Sequence, residues 1–340
     1  MPFAARHPGI RLRFARPGMS KARLRPRAGR KAILMPSIKP ATHAVPAPTP
    51  FKAWVKASRP ATLSIAVVPV AVAAALAARA GATIDWRIVI VALAAAVLIQ
   101  IGTNLYNDVG DHERGADGTD RLGPPRAVSL GWLSPASVRR AAATCFGLAM
   151  VLGAWLVSVG GWPIFAVGLA SVAAGIAYTG GPKPIAYSAS GELFVILFFG
   201  LVATCGMYYL LTGSVSWACV VAGLMLGVIA AAVLVVNNYR DFDSDRRTGK
   251  VTLAVRIGRE ATRREFAVLV AIPFLLLPAL AHATGIGAAL ALPLVAAPFA
   301  VWLVVRLART PIGPALNDVL KSTAQLQLVF GALLAVALVL

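Results

Sequence analysis

Runs of apolar residues close to twenty long recur along this chain from residue 61 to its C-terminus, and nothing else in it restricts the fold as severely. About nine stand out, at 61–79, 88–107, 138–158, 162–179, 191–212, 216–237, 264–284, 288–306 and 322–340. Some twenty apolar residues wound as an α-helix cover the roughly 30 Å of bilayer hydrocarbon, where every backbone polar group must be paired internally. The runs are uniformly apolar rather than alternating, which excludes a membrane β-barrel. The expected fold is an all-α polytopic membrane protein of about nine transmembrane helices. Composition agrees, with 58% hydrophobic and 14% charged residues against about a quarter charged in soluble domains.

The net charge of +20 invites a nucleic-acid reading, but its placement opposes one. Eleven of the 33 Lys and Arg fall in residues 1–50, which hold no acid. Most of the others occupy alternate loops: Arg114, Arg121, Arg126, Arg139 and Arg140; Lys183; Arg240 through Arg264; then Arg306, Arg309 and Lys321. The intervening loops near 159–161, 213–215 and 285–287 carry none, and Arg79 and Arg87 are the exceptions. This alternation is the positive-inside pattern. It predicts a multi-pass membrane protein, with the N-terminus and the charged loops in the cytoplasm and membrane lipid, not nucleic acid, around it; the expected location is a bacterial inner membrane.

Two regions follow. Residues 1–50 form a basic, Pro-rich leader expected to be disordered, and residues 51–340 a transmembrane domain. The leader reads as a polybasic segment resting on anionic lipid, as an extension from a start codon upstream of Met35, or as an organelle transit peptide. Phe51 to Pro60 reads as an interfacial approach, with Trp54 at headgroup depth. Cys145, Cys205 and Cys219 fall inside predicted spans without metal-type spacing and read as small apolar filler.

Of the 13 acidic residues, eight lie in two short stretches. Asp108, Asp111, Glu113, Asp117 and Asp120 follow the second span; Asp241, Asp243 and Asp245 follow the sixth. Asp108 and Asp111 are three apart and Asp241 and Asp245 four apart, so each pair shares a face if helical. Asn104 and Asn107 lie beside the first pair and Asn237 and Asn238 precede the second, a coarse echo that suggests a duplicated four-helix unit. Carboxylates at the last turn of a helix oppose its dipole and call for a cation. Mg²⁺ takes a few carboxylates together with substrate phosphate oxygens, so the two stretches predict a Mg²⁺–diphosphate site. Arg114, Arg121, Arg126, Arg240, Arg246, Arg247, Lys250 and Arg256 are interleaved and supply candidate clamps for diphosphate oxygens.

A diphosphate held at the surface beside a large apolar interior suits a lipid-tailed substrate. Metal and Arg would stabilise the leaving diphosphate as the allylic carbon turns cationic, and aromatic faces would steady that cation. Phe194, Phe198, Phe199, Tyr208 and Tyr209 of the fifth span, with Tyr178 and Tyr187, are the candidates. His112 reads as a passive polar neighbour, Asp243 as a third ligand or a solvated bystander, and Glu192 as a cap on the fifth span.

The stretches Asn104–Val128 (NLYNDVGDHERGADGTDRLGPPRAV) and Asn237–Arg259 (NNYRDFDSDRRTGKVTLAVRIGR) resemble the UbiA superfamily of intramembrane aromatic prenyltransferases. Together with Tyr178–Leu210 and Pro314–Leu328 they look like its menaquinone-pathway branch, which prenylates 1,4-dihydroxy-2-naphthoate. The likeness spans residues 51–340 and implies helices around a central cavity under a cytoplasmic cap of Asp motifs. It implies a metal set of Asn107, Asp108, Asp111, Asp241 and Asp245, of which the four Asp are catalytic. The implied substrate-binding residues are Asn104, Asn107, Asp117, Arg121, Arg126, Tyr178, Asn238, Arg246 and Lys250. Arg59 and Lys183, each beside a Pro at a membrane boundary, are the candidates for the acceptor carboxylate. Relatives acting on 4-hydroxybenzoate place an Asp four after Asp111, where this chain has Gly115, and that departure favours the naphthoate branch. Val251 stands where the branch often has a basic residue, leaving Lys250 to carry the charge. The implied reaction moves a polyprenyl group from polyprenyl diphosphate to 1,4-dihydroxy-2-naphthoate, with loss of CO₂, toward demethylmenaquinone.

Rival readings are a relative acting on 4-hydroxybenzoate, homogentisate or a chlorophyll precursor, a CDP-alcohol phosphotransferase, and a membrane cation transporter. The compact Asp-Gly…Ala-Arg…Gly…Asp segment of the second is missing here, and the acids sit at span ends rather than mid-span as the third would want.

Overall fold

The computed structural model describes residues 48–115 and 121–340. Residues 1–47 of the leader and the expected substrate-binding residue Asp117 therefore lie outside the described residues. Among those described, every regular element is helical: α1 (Pro50–Ser58), α2 (Ser64–Arg79), α3 (Trp86–Glu113), α4 (Pro135–Gly160), α5 (Trp162–Thr179), α6 (Gly191–Thr212), α7 (Trp217–Arg240), α8 (Phe242–Arg247), α9 (Leu253–Thr284), α10 (Ala288–Arg309) and α11 (Leu316–Val339). Eight of them are long and apolar enough to cross a membrane, α3 to α7 and α9 to α11. Pro50–Thr62 and Ser64–Arg79, bent by 49° to each other, are together long and apolar enough to make a ninth if they form one span.

Local chemistry sets the boundaries. Asp85, Ser134, Ser216 and Thr252 cap α3, α4, α7 and α9 by accepting from backbone N–H groups of the first turn. Gly161, at φ +71°, ends α4 and lets α5 start at once. Two boundaries differ from the hydropathy reading. Helix α3 runs past the apolar run that ends at 107 and on to Glu113, with Asp108 and Asp111 on its last turns. Helix α9 begins at Leu253, well before the apolar run at 264, with Gly258 breaking its geometry at φ 82° and ψ 166°.

Helix α7 is the most enclosed span; its Ala, Gly and Val residues let α6, α9 and α11 press against it. The approach of α6 is closest at Gly200. A Cβ there would lie 2.4 Å from the Gly223 carbonyl oxygen and 2.6 Å from the Gly227 Cα. Within α6, Ile196–Val202 forms a π-helix, whose i to i+5 spacing brings Phe199 onto the same wall as Phe194.

Candidate active site

Helices α2 to α7 enclose a cavity of about 510 Å³, to which α11 adds Leu320. One end is polar and the remainder apolar. The polar end gathers Asn104, Asn107 and Asp111 from α3 and Asn237 and Asn238 from α7. Asp241, Ser244, Asp245 and Lys250 join them, with Arg59, Arg121 and Arg126 from the connecting segments. The two acidic stretches, far apart in sequence, thus share one cavity mouth.

Asp111 is the most heavily engaged carboxylate. Its Oδ2 accepts from Arg126 at 2.6 Å; its Oδ1 accepts from the Tyr187 hydroxyl at 3.1 Å and from Lys250 Nζ at 3.4 Å. Lys250 also sits 4.5 Å from the Tyr187 ring centre. Asp241 takes a two-point bond from the neighbouring Arg240, at 2.8 and 2.5 Å. Asp245 is buried, and burial, reinforced by the Asp241 and Asp111 charges against the opposing Lys250, pushes its carboxyl up to about 7.

The remaining expected residues divide. Asn107 accepts from the Thr179 hydroxyl and ties α3 to α5. The Asn104 amide donates to Ser58 O at 3.0 Å, bracing the junction where Arg59 takes a left-handed conformation at φ 55°. Among the described residues Arg59 is the only non-glycine with positive φ, and such strain tends to concentrate at functional positions. Tyr178 and Asn238 line the cavity. Asp108 does not: its Oδ2 accepts from Ala127 N at 3.1 Å, so it pins the 121–133 segment against α3. Lys183 and Arg246 are exposed and away from the cavity wall, and Asp243 pairs with Arg259 at 2.6 Å on the outer face. His112 is exposed, and Glu192 is buried in the first turn of α6, accepting from the Asn238 amide at 2.8 Å.

Three features escaped sequence reasoning. Arg240 reads as a positive-inside charge and a candidate diphosphate clamp, but its burial and partners are not foreseen: it is 1% exposed and donates to Asn317 Oδ1 at 2.7 Å and Asn237 Oδ1 at 2.9 Å. Asn317 in turn donates to Leu122 O at 2.9 Å, so α7, α11 and the 121–126 loop meet on one guanidinium. A polar residue opening an apolar span was the available signal at Asn317. Gly123 packs directly beneath this guanidinium, where a Cβ would fall 2.8 Å from Arg240 Nη2. Gln100, an amide in the apolar run of α3, also lies on the cavity wall.

Residues 66–316 match the UbiA prenyltransferase family. The chain belongs to that family. It is 35% identical to the 1,4-dihydroxy-2-naphthoate octaprenyltransferase of Mycobacterium leprae over 290 residues, covering 85% of this chain and 97% of the relative. It is 38% identical to the enzyme of the same name from Mycobacterium tuberculosis over 222 residues, 65% of this chain and 75% of that one. A UbiA homolog from Archaeoglobus fulgidus, solved bound to DMAPP and Mg²⁺, has the same fold at a TM-score of 0.63 and 16% identity. The alignment covers 84% of this chain and 99% of that one.

The donor set suits a hard divalent cation. Among the described residues no three carboxylates converge as a ready-made metal cage. Mg²⁺ does not need one, since it is commonly held by one or two carboxylates with substrate phosphates and water completing the octahedron. Asp245 fits such a site: burial first, and the Asp241 and Asp111 charges after it, oppose its ionisation, and a bound cation would relieve that cost.

Proposed function

We propose that this UbiA prenyltransferase transfers a polyprenyl group from its diphosphate to 1,4-dihydroxy-2-naphthoate. The observation that carries the reading is that Asp111, Asp241 and Asp245 all line the polar mouth of an otherwise apolar cavity. The names of the Mycobacterium relatives support the acceptor. Positive-inside charge supports a cytoplasmic mouth, and the bacterial source of the Mycobacterium relatives supports an inner-membrane location.

On this reading Asp111, Asp241 and Asp245, with Asn107, hold Mg²⁺ and the diphosphate, while Arg121, Arg126 and Lys250 take the remaining diphosphate oxygens. Asp108 acts on the loop through Ala127. When bound, Mg²⁺ supplies charge stabilisation to the departing diphosphate. The apolar wall would keep water from the allylic cation, and Phe194, Phe198 and Phe199 on that wall are the aromatic groups available to steady it. Arg59, on the wall beside Asn104, orients the acceptor carboxylate. The C–O bond to diphosphate breaks, a C–C bond to the ring forms, and CO₂ leaves its bonding electrons in the ring. The product is demethylmenaquinol, which a separate oxidant converts to demethylmenaquinone.

Purified protein in nanodiscs, given polyprenyl diphosphate, Mg²⁺ and each candidate acceptor in turn, tests both halves. Product from 1,4-dihydroxy-2-naphthoate is expected, together with loss of at least about a hundredfold in rate for Asp111→Asn and for Asp241→Asn. Product from 4-hydroxybenzoate or homogentisate alone would refute the acceptor. Undiminished transfer by both variants would refute the metal site.

A further inference from the structure

Gln100 stands on α3 four residues before Asn104 and eleven before Asp111. At the helical rise this puts it about 6 Å deeper in the cavity than Asn104 and about 16 Å deeper than Asp111. The wall around it is apolar, built by Ala92, Ala95, Ala96 and Ile99 of the same helix. Its side chain lies on this wall at 8% exposure, and its Oε1 is buried without a partner.

An orphaned amide carbonyl at membrane depth is costly, because neither lipid nor an apolar wall can satisfy it. Gln327 also has an unpartnered Oε1 while its amide donates to Leu226 O at 3.2 Å, but it lies off the cavity wall, whereas Gln100 lies on it. The prenyl tail has no hydrogen-bonding group, so an amide gains nothing from recognising it. The diphosphate belongs with the Asp residues about three helical turns away. What remains is a neutral polar group on a ring that enters beside the tail.

We propose that Gln100 is the acceptor-recognition residue, its side-chain amide hydrogen-bonding a ring hydroxyl of the aromatic acceptor. This rests on the prenyl-transfer reading above. The pairing is chemically complete once the side-chain amide turns to bring the enclosed Oε1 toward the cavity: a ring hydroxyl then donates to Oε1, or Nε2 donates to a ring oxygen. In 1,4-dihydroxy-2-naphthoate the carboxylate and the 4-hydroxyl stand too far apart on the ring for one side chain to hold both. Arg59, braced at the Asn104 level, takes the carboxylate, and Gln100, one turn deeper, takes the 4-hydroxyl. Two contacts at different depths fix the ring's rotation, and so choose which carbon meets the allylic cation. A site that hydrogen-bonds a hydroxyl also rejects acceptors lacking it, which makes Gln100 a specificity residue.

The test compares wild type with Gln100→Leu in nanodiscs, using 1,4-dihydroxy-2-naphthoate as substrate and 1-hydroxy-2-naphthoate, which lacks the 4-hydroxyl, as competitive inhibitor. In Gln100→Leu the KM for the dihydroxy acceptor should rise about tenfold or more, the worth of one hydrogen bond. The Ki of the monohydroxy compound and the KM of prenyl diphosphate should stay within about twofold of wild type. Gln100→Met, closer in length, is the second variant and carries the same expectation should the Leu protein fail to accumulate. Unchanged KM for the dihydroxy acceptor overturns the proposal, and so does equal weakening of both naphthoates, which would mark a packing role. A wild type inactive on naphthoates but active on another hydroxylated aromatic refutes the acceptor reading instead. Gln100 is then judged by the same comparison on that acceptor and its dehydroxy analogue.

Discussion

Replacing Asp245 by Asn separates the two demands placed on that carboxyl. In the metal-free protein, burial and the Asp241 and Asp111 charges push it from 3.8 up to about 7, with Lys250 opposing. The sign follows from linkage. A carboxyl whose folded pKa is raised contributes fully below its unfolded pKa, near 4, and loses that contribution as pH rises through about 7. Above pH 7 the ionised side chain therefore costs the metal-free fold about 4 kcal/mol. Asn, a neutral shape-mimic of the protonated acid, removes this cost. Asp245→Asn should raise the metal-free Tm by several degrees at pH 8, and the gain should shrink toward zero as pH falls to 4.

Ligand binding reverses the preference, because metal needs the carboxylate. With the carboxyl at about 7, roughly a tenth of the sites are ionised at pH 6 and nine tenths at pH 8. Apparent affinity for Mg²⁺–prenyl diphosphate should then change about tenfold more over that interval in wild type than in Asp245→Asn. Taking the difference between the two proteins cancels the titration of the diphosphate itself. Differential scanning fluorimetry and isothermal titration across pH 4–8 read both effects. A Tm gain independent of pH, or parallel affinity profiles for the two proteins, would refute the reasoning.

Asn317→Ala strips the buried Arg240 guanidinium of one acceptor and Leu122 O of its donor, costing about 2–3 kcal/mol of stability. The same change should raise the KM for prenyl diphosphate, since the loop carrying Arg121 and Arg126 loses its anchor; a thermal melt and initial rates check it. Gly200→Val forces α6 away from α7, because even a Cβ meets the Gly223 carbonyl at 2.4 Å; a loss of about 3 kcal/mol in unfolding stability is expected. Five residues beyond Gly200, the Cys205 and Cys219 sulfurs lie 3.4 Å apart, so a membrane-permeant oxidant should remove two protons and two electrons and link α6 to α7. Mass spectrometry of the digested protein detects the disulfide, and its absence after full oxidation would contradict this packing.

Hydropathy located the spans because crossing a bilayer demands apolar length, and that demand is local in sequence. It also brought Asp111, Asp241 and Asp245 into view, since carboxylates are scarce enough here for two matched stretches to stand out. What each polar residue faces was not legible, because facing depends on where the chain returns. Asp108 and Asp111 share a face by spacing, yet the 121–133 segment folds back and claims Asp108 through Ala127 N. Lys183 and Arg246 have the right charge in the right loops and still point to solvent. Arg240 was hidden by the opposite effect: among many basic loop residues nothing marks the one that is buried, and its partner Asn317 is remote in sequence.

These placements bear on how the mouth persists before substrate arrives. Three buried or half-buried carboxylates crowded at one cavity end would repel one another apart, and each here is answered by a neighbouring cation. Arg126 and Lys250 neutralise Asp111, Arg240 neutralises Asp241, and Lys250 also lowers the cost of ionising Asp245. On the proposed reading, the carboxylates would hold Mg²⁺, and Arg126 and Lys250, now paired with Asp111, would turn to the diphosphate oxygens. Arg240 would not turn with them, because Asn237 and Asn317 hold its other donors. It keeps Asp241 in place, which is why the Asn317 substitution should weaken diphosphate binding while the residue itself sits behind the site.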